Sequence, residues 1–563
     1  MRLISIRRGA MRSQWLRLSS MKLTWIGTLL LLFLTLPFFF LLFVWFTPEG
    51  ENWGFIRAYW LVPYALHSFI LSFGSMLFSM ALGTLFAWWQ VAYTYPGRKL
   101  FFWGLLMPLT IPPYIAAFIY GDLVSYTGWI PHLLDKLFGL PAEVSAISLY
   151  NMPGAIFIYT LFLYPYVFMI VRADLLRQDL RLIEAARLLG AGPLRRTLTV
   201  ILPLARPAIL SGGLLVAFEV LSDYGLASHF GLTTLSTGIF QSWFGMADLP
   251  AAMRLASIFL MISVMMLTWD RLRKRRVQTG TSRPRPYQAK KARGGTLIVI
   301  YLVHGLFFLL TLILPLARLT DWLIKLLAAR DTPSGALTFS KMVHVFREAA
   351  VNTFALAFLS AVIIALLALF LSTVARHESN FLSRLFPQVA LAGYSIPGAV
   401  VAIGVLALLL PLEHFLLSIH PTGWPCGNRP CLSGTPFMLL YAYLVRYLAV
   451  GYSALSGASA RLGRRYMEAA RLLGLSPWQA FFRVEWPLLR PAMFAAIALT
   501  MIDLVKELPL ALILRPFDFN TLATRAFQYA SDERLAQAAP YALLIIAVSF
   551  LSVVLLGRTE QKV

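Results

Sequence analysis

Long apolar runs alternate with short polar or basic stretches along the chain. The first run extends from about Trp25 to Phe46, behind a segment carrying Arg2, Arg7, Arg8, Arg12, Arg17 and Lys22. Five more follow, at about 64–92, 100–122 and 149–172, from near Ala208, and at 252–269. A second set lies near 296–316, 350–375, 387–411, 436–458, 492–514 and 540–557. A helix needs about 20 apolar residues to cross a hydrocarbon core, and it satisfies its own backbone groups where water cannot. The pattern therefore predicts an all-α integral membrane protein with about twelve transmembrane helices. The first run exceeds a signal-peptide core and lacks a convincing cleavage site, which predicts a retained span. Pro108, Pro112 and Pro113 in the third run, and Pro397 in the ninth, predict helices that are interrupted to line a cavity or only kinked.

Two of the polar islands between these runs are copies of one another. Glu184-Ala185-Ala186-Arg187-Leu188-Leu189-Gly190, Pro193 and Pro203-Leu204-Ala205-Arg206-Pro207-Ala208 recur at an offset of 284. The second copy is Glu468-Ala469-Ala470-Arg471-Leu472-Leu473-Gly474, Pro477 and Pro487-Leu488-Leu489-Arg490-Pro491-Ala492. Ser68-Phe69 and Ile111-Pro112-Pro113 match Thr353-Phe354 and Ile396-Pro397-Gly398 at an offset of 285. A period near half the chain means a two-fold duplication. Each island reads as helix, turn, helix. Ala, Arg and Leu favour the first helix, and Gly190 and Gly474 suit a left-handed residue past its end. Pro193 and Pro477 suit the opening position of the next helix, with Ser476 as a good N-cap and Gly192 as an acceptable one. Ala185, Ala186, Ala469 and Ala470 are expected to form a small-residue face for close approach of another surface.

Charge supplies orientation. Lysine and arginine number 49 against 25 aspartate and glutamate. The basic residues collect beside the spans, as the positive-inside rule expects, and no aromatic-basic groove suggests nucleic acid. The N-terminal segment, both islands (172–207 and 459–491) and a basic stretch at 271–294 are therefore expected in the cytoplasm, together with both termini. Residues 124–149 and 412–435 are expected outside. The domain reading is a first repeat of six spans at 1–270, a flexible basic linker at 271–294 and a second repeat of six spans at 295–563. The repeats share one orientation, giving a parallel pseudo-dimer. Only 13% of residues are charged, against about 25% in soluble domains.

Carboxylates inside apolar runs are the candidate pathway groups. The 284 offset maps Glu219 onto Asp503 and Asp223 onto Glu507. A continuous helix would place each pair one turn apart on one face. A charge at the bilayer centre costs about 2.5–3.5 kcal/mol, so these groups need a partner or a water-filled cavity. One reading is a cation pathway that includes Tyr224; the other is structural, with Lys506 pairing locally with Asp503. Cys426 and Cys431 share one polar loop, where a local disulfide and two free thiols are the alternatives. No G-x-x-x-x-G-K-[ST], H-E-x-x-H or G-x-S-x-G sequence occurs, so the chain carries no recognisable nucleotide loop or catalytic residues.

The duplicated island resembles the EAA loop of the membrane subunits of bacterial ABC importers. Lys506-Glu507-Leu508-Pro509, Leu514-Arg515-Pro516-Phe517, Asn520-Thr521-Leu522-Ala523-Thr524 and Tyr529-Ala530-Ser531-Asp532-Glu533 resemble the fused ferric-iron permeases. The first repeat departs there, reading Ser222-Asp223-Tyr224-Gly225. The resemblance implies a non-catalytic permease in the bacterial inner membrane. Its EAA residues (Glu184, Ala185, Ala186, Gly190, Glu468, Ala469, Ala470 and Gly474) would dock onto two copies of an ATPase subunit. Those subunits would use ATP and Mg, a periplasmic binding protein would deliver Fe³⁺, and no cofactor would be held permanently. Membrane lipid is the remaining partner, with no nucleic acid. Fe³⁺ is a hard cation that suits carboxylate and phenolate oxygen, making Asp223 and Glu507 candidate metal-contacting groups. A fused permease for thiamine or another small cation shares the architecture. A secondary transporter driven by an ion gradient would explain the buried carboxylates but not two EAA loops.

Overall fold

Helices carry nearly all of the chain, as the apolar runs require. The computed structural model describes residues 2–141, 148–178, 180–275, 289–329, 333–377, 380–419, 432–462 and 465–560. Among the described residues, ten helices are long and apolar enough to cross a membrane. The expected third span is a bent pair, Arg98–Thr110 and Pro113–Phe138, turned by 92°. The expected twelfth contains a shorter apolar helix, Leu535–Leu551. Each expected span thus has apolar helix, and among the described residues ten helices, or eleven with the bent pair taken as one, are long and apolar enough to cross.

The bend has a local cause. A residue before proline is pushed out of the helical region, and Pro112 and Pro113 are consecutive. Ile111 is extended at φ −102°, ψ 109°, and Pro112 lies at φ −58°, ψ 143°. Ile396, before Pro397, is extended in the same way at φ −92°, ψ 128°. The duplicated prolines therefore make the same break twice.

The chain forms two compact units, and neither is a sequence half. One comprises Met1–Pro48 with Ala350–Asn520, the other Glu49–Ala349 with Thr521–Val563. In the first unit, the N-terminal span packs on helices Gly398–Ile419 and Phe381–Ala392. The Tyr441 hydroxyl donates to the Phe33 carbonyl at 2.5 Å, and their rings meet at 4.8 Å. Helix Phe437–Leu462 packs along Trp486–Val505.

In the second unit, helix Leu61–Ala92 packs against Met152–Leu175 and Leu202–Ser222. Gly83 allows the close approach: a Cβ there would lie 2.6 Å from Val167 Cβ and 2.8 Å from the Tyr164 carbonyl. The first unit repeats this contact with the small residue on the other helix. Gly451 stands at the Val167 position, facing Ile364 and Ala368, the latter at the Gly83 position. Both offsets read from the sequence are therefore packing offsets. Elsewhere in the second unit, Arg318 is buried and paired with Asp122 at 2.5 Å and Asp321 at 2.7 Å. The end of the basic linker is also ordered. Lys290–Lys291 pairs in parallel with Tyr93–Thr94, and the Ala292 amide donates to the Thr94 carbonyl at 3.0 Å.

Candidate functional site

The two duplicated islands fold alike. The first is helix Leu180–Leu188, then Pro193–Arg196, then a wide turn Thr197–Ile201 leading into Leu202–Ser222. The second is Arg465–Leu472, Pro477–Ala480, Phe481–Glu485 and Trp486–Val505. Gly190 and Gly474 lie at φ +79° and +84°, where a side chain is strained and glycine is not. The Ala191 amide reaches the Ala186 carbonyl at 3.1 Å, and Leu475 reaches Ala470 at 3.2 Å. These bonds close the helix ends in the Schellman manner. Ser476 caps as expected: Gln479 N donates to its hydroxyl at 3.3 Å, and Ser476 N donates to Gln479 Oε1 at 3.0 Å. This reciprocal box fixes the second turn.

Glu184, Ala185, Glu468 and Ala469 are exposed. Ala470 is not on an open face; it is buried against Met467 and Ala480. The most exposed large apolar groups of both islands are leucines, with Trp478 and Tyr466 also exposed in the second. Leu188 and Leu189 are 89% and 86% exposed, and Leu472 and Leu473 are 90% and 83% exposed. Sequence reasoning counted these leucines only as helix formers. The available signal was two consecutive leucines immediately before a left-handed glycine, where the helix ends before it can bury both.

Each helix ends at the second carboxylate of its pair: the Asp223 amide closes the last turn on the Glu219 carbonyl at 3.1 Å, whereas the Glu507 amide bonds the Leu504 carbonyl at 3.2 Å. Leu202–Ser222 stops before Asp223, which is extended at φ −81°, ψ 125°. Trp486–Val505 stops before Glu507, so the expected span 492–514 is two helices, the second being Pro509–Leu514. Pro509 would clash with the carbonyl four residues earlier, at Val505. Asp223 instead bonds its own following backbone, as short polar side chains do at helix ends.

These elbows are held differently. Asp223 accepts from the Tyr159 hydroxyl at 3.0 Å and from Gly225 N at 2.8 Å. Glu507 accepts from Arg446 Nη1 at 3.4 Å, Leu510 N at 3.1 Å and Ala511 N at 3.2 Å. Arg446 stands at the position of Phe162, and Tyr443 at that of Tyr159. Asp503 pairs with Lys506 at 2.8 Å, the local pairing considered from sequence. Tyr224 stacks on Phe240 with centroids 3.6 Å apart, and Phe527 lies 5.8 Å from it.

A further repeated feature was missed in the sequence. Thr234 and Thr237 form a capping box before Leu235–Phe240, and Thr521 and Thr524 form one before Leu522–Ser531. Its signal is Thr-Leu-Ser-Thr against Thr-Leu-Ala-Thr at an offset of 287. The first box is braced by His67 Nδ1, 2.7 Å from Thr233 Oγ1, and by Ser68, whose hydroxyl accepts from Leu235 N at 2.8 Å.

Among the described residues, no group of three or more His, Cys, Asp or Glu side chains could hold a metal ion. Asp223 and Glu507 therefore belong to no preformed metal cage there. Cys426 and Cys431 lie outside the described residues.

Comparison with known proteins uses both repeats. The family described as "Binding-protein-dependent transport system inner membrane component" matches residues 69–278 and 366–563. A Haemophilus influenzae Fe(3+)-transport system permease protein, FbpB 2, is 27% identical over 487 residues, covering 86% of this chain and 87% of that protein. The Escherichia coli molybdenum transport system permease protein ModB is 31% identical over 156 residues, covering 28% of this chain and 66% of its own. A putative 2-aminoethylphosphonate transport system permease protein, PhnV, from Salmonella typhimurium is 28% identical over 131 residues, covering 23% and 49%. With two matched repeats, two like-folded islands and helices fit to cross a membrane, the chain belongs to the binding-protein-dependent transport system inner membrane components, as a non-catalytic permease subunit.

Proposed function

We propose that the chain imports ferric iron as the fused permease of an ATP-driven transporter. The pair of exposed-leucine hairpins at 180–196 and 465–480 carries the coupling half of this reading. Each presents two leucines on a rigid turn, a surface suited to the grooves of two ATPase subunits. ATP-driven closure would move both hairpins, and a periplasmic binding protein would supply the cargo. Ferric iron is supported by the relative that spans both repeats, since the molybdenum and phosphonate relatives each match a much shorter stretch.

The cation path leans on the first repeat. Glu507 and Asp503 have cationic partners in Arg446 and Lys506, whereas Asp223 is held by a phenol and an amide. Glu219 and Tyr224 complete the acidic and phenolic face of that repeat. Such oxygen donors suit a hard trivalent cation. The Tyr224–Phe240 stack favours a second reading, a flat organic cation such as thiamine held by cation–π attraction.

The test is uptake of radiolabelled Fe³⁺ or thiamine into proteoliposomes, with the ATPase and binding protein supplied. Iron uptake is expected to fall in Asp223→Asn while ATPase capture and basal hydrolysis persist. Thiamine uptake without iron uptake would replace the cargo. Undiminished iron uptake in a folded Asp223→Asn chain would remove Asp223 from the path.

A further inference from the structure

The second coupling hairpin is fastened to the membrane helices by a buried charge. Helix Arg465–Leu472 folds back on the following segment around Met467, Ala470 and Ala480, with Leu475 and Val484 packed against them. The next residue, Glu485, ends the wide turn Phe481–Glu485 and is 2% exposed. Its carboxylate is paired with Arg376, near the end of helix Pro333–His377. Arg376 Nη1 also donates to the carbonyl of Ser459, near the end of helix Phe437–Leu462, at 3.3 Å. One guanidinium thus joins the base of the hairpin to the ends of two long helices, all within the unit that contains Ala350–Asn520.

The first repeat builds this position without charge. The 285 offset takes Arg376 to Val91, and the 284 offset takes Glu485 to Ile201. Both are buried. An ion pair with a third hydrogen bond fixes distance and direction, whereas apolar contact is non-directional. Val91 and Ile201 carry no charge that would fix a register, whereas sliding at Arg376 and Glu485 breaks their ion pair.

We propose that Arg376 and Glu485 are positioning residues that transmit movement of the second coupling hairpin to helices Pro333–His377 and Phe437–Leu462. The first hairpin, with its apolar counterpart, transmits less of its movement. This inference rests on the assignment of 465–480 as an ATPase-coupling hairpin.

The double variant Arg376→Val, Glu485→Ile copies the first repeat. Replacing a buried ion pair with apolar groups is often neutral or stabilising, so this variant keeps the fold where a single change can lose it. The full chain, assembled with its ATPase in nanodiscs, is trapped with vanadate and followed by hydrogen–deuterium exchange. In the wild type, trapping is expected to alter exchange at 365–376 and 450–462. In the double variant, ATPase capture and hydrolysis should persist while that response falls below half. The charge swap Arg376→Glu, Glu485→Arg should restore it. A full response in the captured, hydrolysing double variant would overturn the joint alone. Failure of the wild-type chain to capture the ATPase would overturn the coupling assignment and the joint with it.

Discussion

Removing Arg446 should leave Glu507 as an uncompensated charge in the interior. Glu507 is 5% exposed, and its partners are Arg446 and the amides of Leu510 and Ala511. Breaking a buried pair from one side costs about 3–5 kcal/mol. The two amides remain after Arg446→Leu, which places the cost near the lower end, about 3 kcal/mol. In a unit of roughly 200 residues each kcal/mol moves the thermal midpoint by about 2–4 °C, so the expected fall is about 6–12 °C. The double variant Arg446→Phe, Glu507→Gln copies Phe162 of the first repeat and removes the charge. It should recover most of the loss, because both partners are replaced together. The assay is tryptophan fluorescence melting of the purified chain, with size-exclusion profiles before and after heating. A single Arg446→Leu variant melting within about 2 °C of wild type would refute the pairing of an ionised Glu507. A double variant as unstable as the single would show that Arg446 acts through packing rather than charge.

Gly190→Val and Gly474→Val each force a side chain into the left-handed region, at a cost of about 1–2 kcal/mol, and both should reduce ATPase capture in a pull-down; wild-type capture by both would detach the hairpins from the coupling role. Leu472→Ser with Leu473→Ser removes exposed apolar surface without touching the hairpin core, so capture should fall while the melting midpoint holds. Single cysteines placed at 279–283, on a background lacking Cys426 and Cys431, should react with an impermeant reagent only from the cytoplasmic side; labelling from the periplasm would reverse the orientation expected from the basic residues. Tyr159→Phe removes the hydroxyl donor of Asp223, and should lower iron uptake less than Asp223→Asn, since Gly225 N still holds the carboxylate; an equal loss would move the transport role to the phenol.

The span pattern was legible because burial in lipid demands long apolar helices, and the hairpins were legible because their glycines and prolines have no substitute at those angles. The break at Asp223 was harder to read. No proline marks it, and Asp223 ends the helix by competing for nearby backbone amides, which periodicity does not register. Pro509 did mark the second break, but the surrounding apolar run from 492 to 514 concealed it. The unit boundaries were illegible for another reason. Apolar helices offer similar surfaces, and the sequence does not say that the N-terminal span packs on Gly398–Ile419 rather than on its own repeat. The Phe33–Tyr441 contact settles it through one hydroxyl and one carbonyl.

Duplication supplies a comparison that a single repeat could not. Three charged pairs occur at corresponding places in the second copy: Arg376 with Glu485, Arg446 with Glu507, and Lys506 with Asp503. In the first copy the cationic positions hold Val91, Phe162 and Ser222. All three cations thus belong to the second repeat, while a carboxylate persists in the first at both Glu219 and Asp223. On the proposed path, a cation at the first elbow would meet the Asp223 carboxylate, which is held by the Tyr159 hydroxyl and the Gly225 amide. At the second elbow the same approach would have to displace Arg446 or Lys506, and a buried carboxylate already paired offers little further attraction. We infer that the second repeat holds its elbow and hairpin in register through these pairs, and that the first offers Asp223 to the cargo. If that division is correct, charge removal should disable transport at Asp223, and pair removal should disable stability at Glu507. The two homologous carboxylates would then fail in different assays.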